Sequence, residues 1–218
     1  MSKALSEFAP IRQYPGLWSA EKGALRCTAL RLRDNSLCLY SPVLGLGDDA
    51  RNSLAALGDV SFLLAPNHYH NKGLVEYAEA FPEAELICSE RARPRLENQT
   101  SLVFGGLTNL VSLLVDDCQL IEPAGLKTGE VWFTVKTLKD VVWVVCDAFK
   151  GSSGKLGEVT KQIEMLGTFP TFGIQDKDTY AAWVESQLRV GSPTLVMPCH
   201  GTMGQGGDMA SDIRSLLR

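Results

Sequence analysis

The residues of this sequence best suited to chemistry are three histidines and one aspartate. The 218-residue chain contains only three histidines. His68 and His70 follow the apolar run 60–65 (VSFLLA), and His200 follows 193–197 (PTLVM). Asp147 stands in the same relation to 141–146 (VVWVVC). In α/β sheets, ligands and reacting groups gather beyond the carboxyl ends of strands, where loops vary while the sheet holds them rigidly. Four metal-competent side chains therefore fall where a site could assemble. Taken singly, each has a plainer reading: a histidine more often satisfies a hydrogen bond, and an aspartate after a strand more often caps or turns the chain.

The elements that must position them are short. Strand-length apolar runs lie at 27–33, 36–41, 60–65, 85–88, 111–115, 131–136, 141–146 and 193–197. Polar turn residues separate 27–33 from 36–41 (Asp34, Asn35) and 131–136 from 141–146 (Thr137 to Asp140), which predicts two antiparallel hairpins. Helical patterns are expected at 48–57, near 73–80, 89–96, 158–166 and 177–189, and at 207–217. The first opens on Asp48 and Asp49, suited to a positive helix N-terminus, and stops at Gly58, suited to a C-cap. Hairpins together with β-α alternation exclude a purely parallel sheet and predict two mixed sheets packed face to face, with helices outside.

Composition narrows the function classes. With 45% hydrophobic and 21% charged residues, the chain reads as one compact domain over 1–218, with no repeat, low-complexity tract or linker. A net charge of −4, with scattered Lys and Arg, gives no footprint for nucleic acid or an anionic membrane. The N-terminus lacks a signal-peptide pattern, and no apolar run approaches the roughly 18 residues of a membrane span. Six cysteines without a C-x-x-C pair read as free thiols in a reducing cytoplasm.

Four smaller features are read structurally. The stretch 150–157 (KGSSGKLG) has the wrong spacing for a phosphate loop and reads as a flexible loop beside a pocket. Phe169 and Phe172 read as satellite packing, and Trp132 and Trp143 as core. Cys146 and Cys199 adjoin candidate ligands, but neighbouring side chains in an extended segment point to opposite faces, so both read as packing residues.

Three segments together carry a resemblance: APNHYHNKG (65–73), VVCDAF (144–149) and MPCHG (197–201). They look like the H-x-H, strand-end Asp and P-x-H-G elements of the metallo-β-lactamase superfamily, in order and over nearly the whole chain. SLCLYSPV, LLAPNHYHNKG and FPEAELICSE resemble more closely a branch known only as a domain of unknown function. The resemblance implies an α/β (α+β) four-layer αβ/βα sandwich. It also implies a metal centre, and that centre is incomplete. The family motif is H-x-H-x-D-H, with its last two positions serving a second metal; here they are Lys72 and Gly73. A further ligand loop, matched by 124–129, places Leu126 where the family has histidine.

What the resemblance leaves is His68, His70, Asp147 and His200 as metal ligands. Catalytic zinc uses about three protein ligands and an open position for water, so this set can complete one coordination sphere with His200 as a fourth ligand or a hydrogen-bonding group. The expected cofactor is at most one divalent ion, zinc before iron or manganese, or none. Lys72, standing where the second metal is ligated, could pair with Asp147, which would share the catalytic position with it. Two functions follow: a metal-dependent hydrolase of an ester, amide or phosphoester, or an inactive relative that binds a small molecule or protein partner in the same pocket. Redox use of iron is disfavoured because the carboxylate-rich ligand pattern is absent.

Overall fold

The computed structural model describes residues 4–12, 14–152 and 158–218. Its chain divides into two compact units, Met1–Asp116 and Asp117–Arg218.

The first unit is built on a six-stranded sheet in sequence order: β1 (Ala9–Pro10), β2 (Leu17–Lys22), β3 (Leu25–Arg31), β4 (Leu37–Tyr40), β5 (Val60–Leu64) and β6 (Glu85–Ile87). Pairing is antiparallel as far as β4, then parallel through β5 and β6. The β3–β4 hairpin turns at Asn35, whose φ of 69° suits asparagine, while Asp34 Oδ1 accepts from the Ser36 N–H. Four helices interleave with the strands: α1 (Asp48–Leu57), α2 (Leu74–Ala80), α3 (Arg93–Thr100) and α4 (Thr108–Leu113). Helix α1 ends at Gly58, whose N–H donates to Leu54 O at a φ of 151° that disfavours any side chain. Leu37, Leu39 and Leu63 of the sheet pack with Ala50 and Leu54 of α1 and Tyr77 of α2. Each leucine removed from water there contributes roughly 2 kcal/mol.

The second unit holds another mixed six-stranded sheet, ordered β11 (Val159–Thr160), β14 (Met203–Gln205), β13 (Leu195–Pro198), β9 (Val141–Val145), β8 (Trp132–Lys136) and β7 (Cys118–Ile121). Strands β10 (Phe149–Gly151) and β12 (Ile163–Met165) form a separate antiparallel pair. At the sheet's centre β13 and β9 run parallel, with Val145 opposite Pro198, so both deliver their following residues at the same end. Helices α5 (Phe169–Phe172), α6 (Lys177–Val190) and α7 (Met209–Leu216) complete it. Asp176 caps α6 by accepting from the Thr179 N–H, and Asp208 caps α7 by accepting from the Ser211 N–H. Tyr180, Val184 and Leu188, spaced by four, place one face of α6 in the core with Trp143, Val145 and Val196. Trp132 and Trp143 are core, as expected, and their rings lie 5.6 Å apart.

Several expectations are corrected. Residues 111–115 are not a strand: α4 covers Thr108–Leu113, with Leu110 and Leu114 buried at helical spacing while Val111 is exposed, and the strand follows at Cys118–Ile121. A short apolar run carries too little periodicity to separate the two. Residues 158–166 are not a helix but β11 and β12. Helix α3 starts at Arg93 rather than 89, with Pro94 in its first turn, where proline lacks no needed donor. Phe169 packs in the core, whereas Phe172 is exposed. Of the glycine- and serine-rich stretch, 153–157 lies outside the described residues. No helix among the described residues is long and apolar enough to cross a membrane.

Candidate functional site

In the first unit, β5 ends at Leu64 and the chain turns before α2. The turn is made by Asn67, which is fully buried and whose Oδ1 accepts from the Tyr69 N–H at 2.8 Å and the His70 N–H at 3.2 Å. His68 and His70 are thus carried on a loop whose backbone donors are already committed. His70 Nδ1 is hydrogen-bonded at 2.8 Å to the hydroxyl of Ser41, which follows β4 in a left-handed conformation with φ 59°. That contact orients the ring and fixes which nitrogen faces Ser41, the role a partner to a ligating imidazole plays. His68 is buried, with its ring edge-on to Tyr69 at 4.3 Å, and the Arg95 guanidinium lies over the Tyr69 ring at 4.6 Å. Asn71 donates to the His68 carbonyl at 3.4 Å and to Gln99 of α3.

Two residues further on, the loop departs from a binuclear arrangement for a steric reason. Gly73 is buried at the start of α2, and a Cβ built on it would lie 2.4 Å from Pro42 O and 2.9 Å from Leu44 N. Backbone already occupies the space that a side chain at position 73 would need, so a histidine cannot stand there without moving 42–44. Lys72 is exposed.

In the second unit, Asp147 follows β9 and His200 follows β13. Their strands are adjacent and parallel, and His200 Nε2 lies 2.9 Å from Asp147 Oδ1. An ionised carboxylate only accepts, so with Asp147 ionised the imidazole donates from Nε2. Behind Asp147 lies Glu130, a buried acid that sequence reasoning missed. Its Oε1 accepts from the Trp132 indole at 2.7 Å and from the N–H groups of Cys146 and Ala148 at 3.2 and 3.3 Å; its Oε2 accepts from the Asp147 N–H at 3.2 Å. Three consecutive amides converging on one carboxylate require the chain to curl around it, which sets the direction of Asp147. Burial pushes the Glu130 carboxyl up to about 7, with the nearby Asp147 charge adding to it and the hydrogen bonds opposing.

This curl also corrects the geometry assumed for the cysteines. Adjacent side chains would point apart only if the strand continued; it stops at Val145, and donor atoms of Glu130, Cys146 and Asp147 all lie within 4.8 Å of one another. Cys146 and Cys199 are both buried, with Sγ atoms within 4.8 Å of each other. Burial pushes the Cys146 thiol well above its ordinary value, and its contact with Cys199 adds to the shift. Leu126 is buried in the core that holds Phe149 and Tyr180, so this position offers packing and no donor.

No protein-family model matches the chain, and no curated protein matches it by sequence. Solved structures do. A metallo-β-lactamase from Hirschia baltica superposes with a TM-score of 0.65 at 11% identity, over 99% of this chain and 99% of that one. DIM-1 metallo-β-lactamase exposed to ceftazidime gives 0.67 at 13% identity, over 100% of this chain and 98% of that one. The metal-soaked Flv1 flavodiiron core from Synechocystis sp. PCC6803 gives 0.61 at 13% identity, over 98% of this chain and 61% of that one. The chain therefore has the metallo-β-lactamase fold, an α/β arrangement with two mixed sheets and, among the described residues, seven helices. Likeness at such identities establishes the fold, while the chemistry has to be argued from the residues.

Proposed function

We propose that the protein is a metal-dependent hydrolase with a mononuclear centre whose protein ligands include Asp147 and His200. The observation that carries this reading is the Asp147–His200 pair, 2.9 Å apart at the ends of adjacent parallel strands and braced from behind by Glu130. A hydrogen-bonded imidazole and carboxylate present two donor atoms that a cation can take over, so the residues fit the ion the fold implies. When bound, the ion would supply an activated water and polarise an ester, amide or phosphoester bond.

The residues' own tasks follow from their surroundings. Asp147 offers a carboxylate oxygen at a position that Glu130 fixes, and His200 Nε2 lies within hydrogen-bonding distance of it. Lys72, one residue before the closed position at Gly73, is exposed and is assigned no ligand role. Gly73 and Leu126 favour a single ion over two, and they also favour the competing reading of an inactive relative that binds a small molecule or a partner.

Protein purified without a histidine tag or added metal separates the two readings. The hydrolase reading expects one divalent ion per chain and turnover of a chromogenic ester or phosphodiester that falls at least about tenfold in His200→Ala. Protein that neither holds nor takes up an ion, and turns over none of these substrates, belongs to the inactive reading.

A further inference from the structure

The proposed hydrolysis leaves two buried nucleophiles without a task, although they immediately precede two of the candidate ligands. Cys146 and Cys199 directly follow the same pair of parallel strands: Val145 faces Pro198, and the Cys199 N–H donates to Val145 O at 3.0 Å, which carries the ladder one level further. Both thiols therefore ride on backbone that is already fixed. Their Sγ atoms lie within 4.8 Å of each other, and an Asp147 donor oxygen lies within the same distance of Cys146 Sγ. Adjacent residues 146 and 147 converge because the chain curls around Glu130, so a soft donor and a hard donor are delivered together.

We propose that Cys146 and Cys199 are ligands of the protein's metal ion, giving a two-thiolate centre, with Asp147 beside Cys146, that takes a thiophilic divalent cation, zinc or cadmium. This rests on the reading of one ion per chain. Thiolates select zinc-like ions over magnesium or manganese, which carboxylates and water suit better. Charge decides the valence. A divalent ion entering between two thiols expels two protons, so the net charge of the buried group is unchanged. A monovalent ion would leave an added negative charge beside Asp147 and Glu130, in a place where an uncompensated charge is costly.

The test uses the full chain, reduced and stripped with a chelator, then titrated with cadmium chloride alone. The expected result is one cadmium per chain with a near-ultraviolet thiolate-to-cadmium charge-transfer band. The band should be lost in Cys146→Ser and in Cys199→Ser but kept in Cys88→Ser. Should a serine variant fail to fold, X-ray absorption on the zinc-loaded wild type gives the same answer: two sulfur neighbours at about 2.3 Å are expected. Cadmium uptake without the band, or zinc with only oxygen and nitrogen neighbours, overturns the thiolate ligands while leaving the one-ion reading intact. A Cys146–Cys199 disulfide in freshly isolated protein also overturns them. Failure to take up any of cadmium, zinc, manganese or iron removes both readings.

Discussion

The loop after β5 and the turn after β9 occupy equivalent positions at strand ends, yet they are held in different ways. Around His68 and His70 the fixing groups are neutral: Asn67 accepts two backbone N–H groups, and Ser41 holds the His70 ring. Around Asp147 the fixing group is a buried acid, Glu130, with thiols beside it. The first arrangement is closed, since backbone fills the space beside Gly73. The second keeps acidic and soft donors whose protons can be exchanged for a cation. Orientation of the imidazoles is thus settled in one region, and the electrostatic work is concentrated in the other.

The contrast can be broken at its most rigid point first. Gly73→His should destabilise the protein by about 4 kcal/mol or more in chemical denaturation, because its Cβ would overlap the Pro42 carbonyl. It should also fail to raise metal content in elemental analysis; a second ion gained with unchanged stability would show that the closure is soft. Next in size is Glu130→Leu, which strips the acceptor from three amides and one indole and should cost about 3 kcal/mol by the same measurement. Glu130→Gln, which retains one acceptor oxygen, should cost less.

Asn67→Ala should come third, at about 2 kcal/mol, since it leaves the Tyr69 and His70 amides without their acceptor. It sharpens the comparison because its effect should not depend on pH, whereas that of Glu130 should. In the folded protein burial holds the Glu130 carboxyl up at about 7, above the ordinary carboxylate range. The native state therefore keeps a proton that the unfolded chain has already lost. This contribution to stability is full below the unfolded value and is lost as pH rises through about 7. Denaturation of metal-free protein at about pH 5 and about pH 8 should show that decline, and Glu130→Gln should flatten it. An identical decline in wild type and Glu130→Gln would assign it to other groups.

How much of this was legible in the sequence depended on whether the cause was local. Helices α1 and α6 were readable from their ends and spacing: Asp48, Asp49 and Gly58 bound the first, and the Tyr180, Val184, Leu188 stripe marks the second. Both hairpins followed from polar breaks between apolar runs. The strand expected at 111–115 failed because so short an apolar run suits either period, and only burial of Leu110 and Leu114 against exposed Val111 decides between them. Glu130 gave no local signal, being one acid between Gly129 and Val131 whose amide partners lie up to 18 residues later. The placing of Cys146 depended on that same contact. Treating the strand as extended through residue 147 was reasonable for the sequence and wrong for a chain that curls around a buried carboxylate.

The central proposal is that this chain carries one metal ion and no more. Elemental analysis of tag-free protein, expressed without added metal and checked against His200→Ala, tests it most directly. The account predicts one divalent ion per wild-type chain, with the variant holding clearly less, and two tightly held ions per chain, or equal content in both proteins, would contradict it.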